Sequence, residues 1–509
     1  MLRRTSLLAK HYRKSIPGYS TQSRSFFGIG DVLGAIGNPK ETLSQITEAK
    51  NELEKVKNEL VEMGEKVRLP PVRTFVRQPN YFSRKLEEDR VRAMLDSDAT
   101  FTVFFGAAST GKTCLIRHVL TDNTKYIVLP IDLRISAFTD PATFYMSLST
   151  HLEAFFNDVS ESVDGFEELG HRLGLGFKHA RIDVERRGVP PSSTDISRLM
   201  ELFQNALLNY WNYDPSLTEE ERKKLDNQST LPEPKQRVTC GSPNKLNRKI
   251  PVLYIDEAHR LPQLLDTEHS GTLKIILDGL TVLTKQERLL HTIFCTSDSM
   301  FMSTLVDYNV LTHTQVLHVT DPSKDSIRSY LKDHLLLQIN QSHLHPHIIE
   351  NFDNIYSILG GKYIHWKDYL LGDWLHDGLS LTQSKVATHA KISVESHLYP
   401  SSGLSTPPNT LALLHEIAKA TDDNPLDIFD ARRRFGQEVV DALLCNKILE
   451  VRWGNVISRS NFLENAHMNP KLDGRSDISE NKPAINPLKP ASSVMGWAIK
   501  EVLKKHELQ

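Results

Sequence analysis

The chain has 509 residues, enough for two or three folded domains. Its 61 Lys plus Arg against 63 Asp plus Glu leave a net charge of −2, so any nucleic-acid surface has to be local. Four scattered cysteines exclude a disulfide scaffold or a Cys-rich zinc site, and no apolar run is long enough for a transmembrane helix.

Up to Arg24 the chain carries Arg3, Arg4, Lys10, Arg13, Lys14 and Arg24, and the first acid is Asp31. Leu2, Leu7, Leu8 and Tyr12 can share a helical face. A basic, Ser-rich, amphipathic start has the composition of a mitochondrial transit peptide over residues 1–27, which predicts a matrix protein; the alternative is a disordered basic tail. In residues 40–68, Ile46, Leu53, Leu60 and Val67 recur every seven positions, with Ala49, Val56 and Met63 at the second seam position. The pattern fits a short coiled coil for self-association or partner docking, or equally a helix packed on its own domain.

A β-rich run, Phe101 to Phe105, leads into Gly106-Ala107-Ala108-Ser109-Thr110-Gly111-Lys112-Thr113, and a helical stretch starts at Cys114. This is G-x-x-x-x-G-K-T in its strand–loop–helix context. The glycines let backbone amides converge on phosphate oxygens, and the helix N-terminus adds partial positive charge. Lys112 is expected on the β- and γ-phosphates and Thr113 on Mg²⁺. Between Asp132 and Pro251 lie helix-like segments (FYMSLSTHLEAFFNDV, TDISRLMELFQNALLNYW) and a polar stretch at 214–249, read as a flexible surface insertion. HRLGLGFKHARI (His171–Ile182) reads as a Gly-containing loop. The apolar run Ile250–Ile255 predicts a strand buried on both faces, ending in Asp256, expected on Mg²⁺, and Glu257, expected as general base for the attacking water. The string DEAH at 256–259 does not make a helicase, because the accompanying Ser-Ala-Thr and Arg-rich motifs are absent. His259 reads as the start of the following helix.

Strand-like runs at 101–105, 125–132, 250–255, 290–296 and 315–319 alternate with helices, which predicts an α/β fold: a P-loop NTPase parallel sheet with helices on both faces. The order of elements resembles the archaeal-type ATPase family, a branch of the AAA+/STAND P-loop ATPases, here with the leader of a fungal-like mitochondrial member. Tyr81–Leu95 is similar to that family's entry motif, which implies that Arg84 and its neighbours fold over the adenine. Lys125–Ser136 resembles its second strand with an Asp-Leu-Arg ending. Leu289–Phe301 resembles its sensor strand, which implies Ser297 as the polar sensor near the γ-phosphate. Ser357–Leu370 is similar to its Gly-Gly-x-Pro lid element, with Tyr363 in place of the proline. The resemblance covers about residues 72–460. It implies an ATPase domain at 72–335, a helical lid at 336–400, ATP and Mg²⁺ as ligands, and Gly106 to Cys114 as the nucleotide cradle. Arg260 and Arg288 are candidates for an arginine acting in trans.

HLHPH (His343–His347) reads as a solvated loop rather than a metal site. Helices followed by runs at Ile448–Val451 and Asn455–Ser458, joined at Trp453-Gly454-Asn455, predict a winged helix at 405–465. Arg432, Arg433, Arg434, Arg452 and Arg459 could meet phosphates there; packing or protein contact is the alternative. Residues 466–509 read as a polar linker and an amphipathic helix with Val494, Trp497, Ala498, Val502 and Leu503 on one face, for docking or peripheral membrane contact. These features predict an ATPase that converts nucleotide state into movement on a protein partner, with homo-oligomerisation left open. Two alternatives stand beside it: an organellar ATPase that binds nucleic acid through the winged helix, and a nucleotide-regulated scaffold.

Overall fold

The computed structural model describes residues 75–79, 81–121, 125–135, 140–217, 240, 248–264, 270–399, 409–420, 425–453 and 486–507. The chain divides into compact units at 1–74 and 75–509. The segment expected as a transit peptide (1–27), the heptad segment (40–68) and Arg459 lie outside the described residues.

Helix α1 (Lys85–Leu95) precedes β1 (Phe101–Phe105), and α2 (Lys112–Thr121) and β2 (Tyr126–Asp132) follow. Then come α3 (Pro141–Ser162), α4 (Glu167–Arg186), α5 (Ser193–Asn212), β3 (Ile250–Asp256), α6 (Ser270–Thr281), β4 (His291–Thr296), α7 (Phe301–Asp307) and β5 (Thr314–His318). The strands form one sheet in the order β2-β3-β4-β1-β5, and every pairing is parallel. All five residues of β1 are buried because helices cover both faces. Phe101, Val103 and Phe105 join a core with α3, α4 and α5, while Phe104 joins another with α1 and α2. The parallel register brings the carboxyl ends of β1, β3 and β4 together: Phe105 stands opposite Thr296, and Asp256 opposite Cys295.

The segment His171–Ile182 is not a loop; it lies inside α4. Gly170 and Gly174 sit four residues apart on the side facing α3. A Cβ on Gly170 would meet Ser160 N at 2.6 Å and Phe156 O at 2.7 Å, and one on Gly174 would meet Asn157 Oδ1 at 2.7 Å. These glycines serve close helix packing, a signal that the 170/174 spacing carries and the 174/176 pair conceals. In an unconstrained helix, Gly→Ala stabilises by about 1 kcal/mol. Here Gly170→Ala is expected to lower stability instead, by about 1–3 kcal/mol, because backbone atoms have to move. Chemical denaturation measures the sign. The polar stretch at 214–249 also needs correction in part: Cys240 is buried, and its N–H donates to Arg288 O at 3.0 Å.

The C-terminal half runs through α8 (Lys324–Tyr330), α9 (His345–Glu350), α10 (Phe352–Leu359), α11 (Tyr363–Lys367), α12 (Lys385–Leu398), α13 (Asn409–Lys419), β6 (Leu426–Asp427), α14 (Ile428–Phe435) and α15 (Gln437–Cys445). β7 (Leu449–Val451), β8 (Pro487–Pro490) and α16 (Ser493–Glu507) complete it. One hydrophobic core extends from Ile327 to Leu503, so lid, winged helix and terminal helix are a single packed body rather than separate domains. The winged-helix strand β7 pairs antiparallel with β8; the expected second run at 455–458 lies outside the described residues. The sheet order is β6-β8-β7, with β8 in the middle. Val494, Ala498, Val502 and Leu503 of α16 are buried in this core. The apolar face that suggested membrane contact is therefore already covered. His345 and His347 lie on α9, which has Pro346 in its first turn, where a missing N–H costs nothing. His345 Nε2 is 3.0 Å from Ile339 O, and His347 stacks on Trp374. Among the described residues no group of three or more His, Cys, Asp or Glu could hold a metal, and no helix is long and apolar enough to cross a membrane.

Candidate active site

The loop from Gly106 to Lys112 joins the end of β1 to the start of α2. A Cβ on Gly106 would meet Val319 O at 2.3 Å, so only glycine lets the loop leave β1 beside the end of β5. Gly111 holds φ +86 and Ser109 the left-handed φ 64, which is strained for a residue with a Cβ. Three cations pin the loop's carbonyls. Lys112 Nζ donates to Gly106 O at 2.8 Å and Ala107 O at 2.7 Å. Lys362 Nζ, from the lid, donates to Ala108 O at 2.6 Å, and Arg84 Nη1 donates to Thr110 O at 3.1 Å. In a planar trans peptide, each pinned carbonyl turns the next N–H the opposite way. The loop is thereby set to present amides to an anion. Burial lowers the pKa of Lys112, which is 7% exposed. An ammonium so far from water gains strongly from an anionic partner.

Thr113 and Asp256 meet where the loop faces β3: the hydroxyl donates to the carboxylate at 3.2–3.3 Å. A hydroxyl, a carboxylate and nearby phosphate oxygens are the hard donors that Mg²⁺ takes, so the residues fit that ion. Asp256 is 2% exposed, and burial raises its pKa while Arg134 lowers it. Glu257 follows in the left-handed region, φ 54 and ψ 44, which turns its side chain out of the strand's alternation.

Sequence reasoning did not give Arg134 a role, although the Asp-Leu-Arg ending of β2 contains it. Its guanidinium forks Asp132 at 2.8 and 3.0 Å, donates to Asp256 Oδ2 at 3.2 Å and stands 3.6 Å from Glu257 Oε1. One cation thus offsets three carboxylates. Arg134→Ala is expected to tighten Mn²⁺ binding to the nucleotide-free chain by about three- to tenfold, since a half-exposed cation is removed from beside the metal's carboxylate. Titration followed by electron paramagnetic resonance checks it; unchanged or weaker binding contradicts it.

The remaining expected site residues divide. Arg84 is 8% exposed and is held by Glu87, Thr110 O and Thr320 O, so it fastens α1 to the loop. The Cys114 thiol donates to Gln78 at 2.8 Å. Beside Ser297, the buried hydroxyl at the end of β4 is Thr296, 3.4 Å from His259 Nδ1. Arg260 lies in the turn after Glu257. Arg288 pairs with Asp98 at 3.3 Å at the amino ends of the strands, away from its own loop. Arg432, Arg433 and Arg434 pair with Asp441, Asp430 and Glu416. Their charge is already offset, which counts against a phosphate-binding face.

The second core closes over the loop. Gly360 and Gly361 are required there: a Cβ on Gly360 would meet Ser493 Oγ at 2.1 Å, and one on Gly361 would meet Pro322 O at 2.4 Å. Next to them, Lys362 Nζ also donates to Ala491 O at 3.2 Å, so one ammonium joins the loop to the segment entering α16. Tyr363 packs on Phe82 and Tyr330, ring against ring. Glu450 on β7 is 12% exposed at its side chain, and burial raises its pKa to about 7, with Arg452 and Lys362 opposing. Between about pH 4.5 and 7 the folded state binds the extra proton, so this group's contribution to stability falls as pH rises through that window. Glu450→Gln is expected to raise the melting temperature above pH 7 and to leave it nearly unchanged below pH 4.5. The full linkage is worth about 3 kcal/mol. Melting curves across pH test it.

No family model matches the chain. Two uncharacterized ATP-binding proteins of Methanocaldococcus jannaschii are similar to it. One is 25% identical over 292 residues, covering 56% of this chain and 67% of the relative; the other is 23% identical over 301 residues, covering 55% and 68%. Among solved structures, a Walker-type ATPase of Pyrococcus abyssi aligns with TM-score 0.42 and 14% identity over 85% of this chain and 99% of that one. The ORC1 protein of Aeropyrum pernix, in complex with DNA, aligns with TM-score 0.33 and 13% identity over 85% and 96%. Overlaps that loose speak to neither activity nor partner.

Proposed function

We propose that the chain is an ATP-binding P-loop ATPase of the AAA+/STAND type, working in the mitochondrial matrix and coupling ATP binding and hydrolysis to conformational change on a protein partner. The observation that carries the nucleotide reading is the meeting of Thr113 and Asp256 at 3.2–3.3 Å beneath a loop whose carbonyls are pinned by three cations. The printed names of the archaeal relatives, which include ATP binding, agree with it. The basic, acid-free composition of residues 1–24 supports the location.

In this reading the amides of residues 107–113 and Lys112 bind the phosphates, and Lys112 exchanges the carbonyls of Gly106 and Ala107 for phosphate oxygens. Thr113 and Asp256 would hold Mg²⁺, which neutralises charge on the β- and γ-phosphates. Glu257 orients a water and takes its proton as the water oxygen attacks the γ-phosphorus and ADP leaves. Lys362 carries the change at the loop to the lid and the C-terminal segment. An arginine from a second copy would complete the site, with Arg260 and Arg288 as the candidate suppliers.

Phosphate release from ATP by the purified chain, compared with its Lys112→Ala form, tests the reaction; equal release from both overturns it. Capture of the Glu257→Gln form from mitochondria with ATP present identifies the partner. Recovery of nucleic acid by salt-sensitive retention, lost when Arg432–Arg434 are neutralised, would replace the protein-partner reading.

A further inference from the structure

The carboxylate of Glu257 is joined to the winged helix by a continuous polar path. Glu257 Oε2 stands 3.5 Å from His259 Nδ1, and the same nitrogen lies 3.4 Å from Thr296 Oγ1. Asp298 N donates to Thr296 Oγ1 at 3.1 Å, and Met300 N donates to Asp298 Oδ1 at 2.8 Å, so the turn after β4 is rigid. The winged helix grips that turn at Ser299, which is 5% exposed. Val451 N donates to Ser299 Oγ at 3.1 Å, and Trp453 Nε1 donates to Ser299 O at 3.2 Å. Arg432 reaches Met300 Sδ at 3.7 Å while held by Asp441.

His259 Nδ1 faces two oxygens and can serve one at a time. Protonated at Nδ1, the neutral ring donates to Glu257. Protonated at Nε2, it accepts from the Thr296 hydroxyl and leaves Glu257 without that donor. Arg134 faces the other carboxylate oxygen at 3.6 Å. The ring's choice therefore sets where the carboxylate points, and Thr296 sets the ring.

We infer that His259 and Thr296 are positioning residues that place Glu257 according to whether the winged helix grips the turn at Ser299. The inference rests on Glu257 being the base. It assigns the winged helix a control of turnover separate from nucleotide affinity.

The test uses the full chain, with turnover and ATP affinity measured separately. Thr296→Val removes the hydroxyl at constant shape. Trp453→Phe keeps the ring packing and removes one grip on Ser299, so both variants are chosen to fold. Each is expected to lower kcat about tenfold with Kd for ATP within about twofold. The double variant is expected to be no slower than the slower single one, as for two links of one path. His259→Ala is expected to lose turnover, and His259→Asn, which keeps a donor near Nδ1, to recover most of it. Multiplying effects in the double variant, an unchanged kcat, or losses seen equally in Kd overturn the inference while leaving the base in place. Full turnover by Glu257→Gln, or none by the unaltered chain, overturns the base assignment and the inference with it.

Discussion

Lys112→Ala is expected to weaken ATP binding by about a hundredfold or more. Lys112 is the one ammonium of the loop that can leave its own carbonyls for a phosphate, and it is 7% exposed. Truncating one partner of a buried charge pair costs about 2–5 kcal/mol, much of it from the charge left alone. The variant also frees the carbonyls of Gly106 and Ala107, so its nucleotide-free melting temperature should be measured beside its affinity. A folded variant that binds ATP as well as the unaltered chain would contradict the role.

Glu257→Gln is expected to keep ATP affinity within about threefold and to lose turnover by about 10²–10⁴-fold, the range for removing a general base. The amide retains the shape of the carboxylate but keeps one acceptor oxygen where the carboxylate has two, and it cannot take a proton from water. Its left-handed backbone, φ 54, is no worse for Gln than for Glu, so fold stability should hold. Single-turnover phosphate release and equilibrium binding separate the two quantities. Loss of affinity equal to loss of rate would move Glu257 from the chemistry to substrate binding.

The contrast between these residues and Arg134 shows what the sequence discloses. Lys112, Thr113, Asp256 and Glu257 are legible because local geometry dictates them: a glycine turn before a helix, and acids at the end of a doubly buried strand. All five strands are legible for the same reason, since each is a short apolar run between helices. Their order is not, because β1 comes to lie between β4 and β5 through contacts distant in sequence. Arg134 and Lys362 are equally hidden. Each is an ordinary surface-type residue until the parallel register sets Asp132 beside Asp256, or Gly360 and Gly361 admit Ser493 and Pro322.

In the winged helix, pattern reading gives β7 but not its described partner. Strand β7 was visible, but its partner β8 lies beyond a long polar stretch, and antiparallel pairing over that separation leaves no local signature. The terminal helix α16 has an amphipathic pattern that fits membrane, partner or intramolecular docking equally. Only the shared core with α10, α12 and α13 decides for the last. In α4, Gly174 and Gly176 look like loop residues because glycine disfavours helices, and the close approach of α3 at Gly170 and Gly174 overrides that preference.

The most direct measurement is a structure of the Glu257→Gln form with ATP and Mg²⁺. The account predicts the triphosphate along the amides of 107–113, Lys112 released from the carbonyls of Gly106 and Ala107, and the metal between Thr113 and Asp256. A nucleotide bound elsewhere, or none at millimolar ATP with Lys112 still on its own loop, would contradict it.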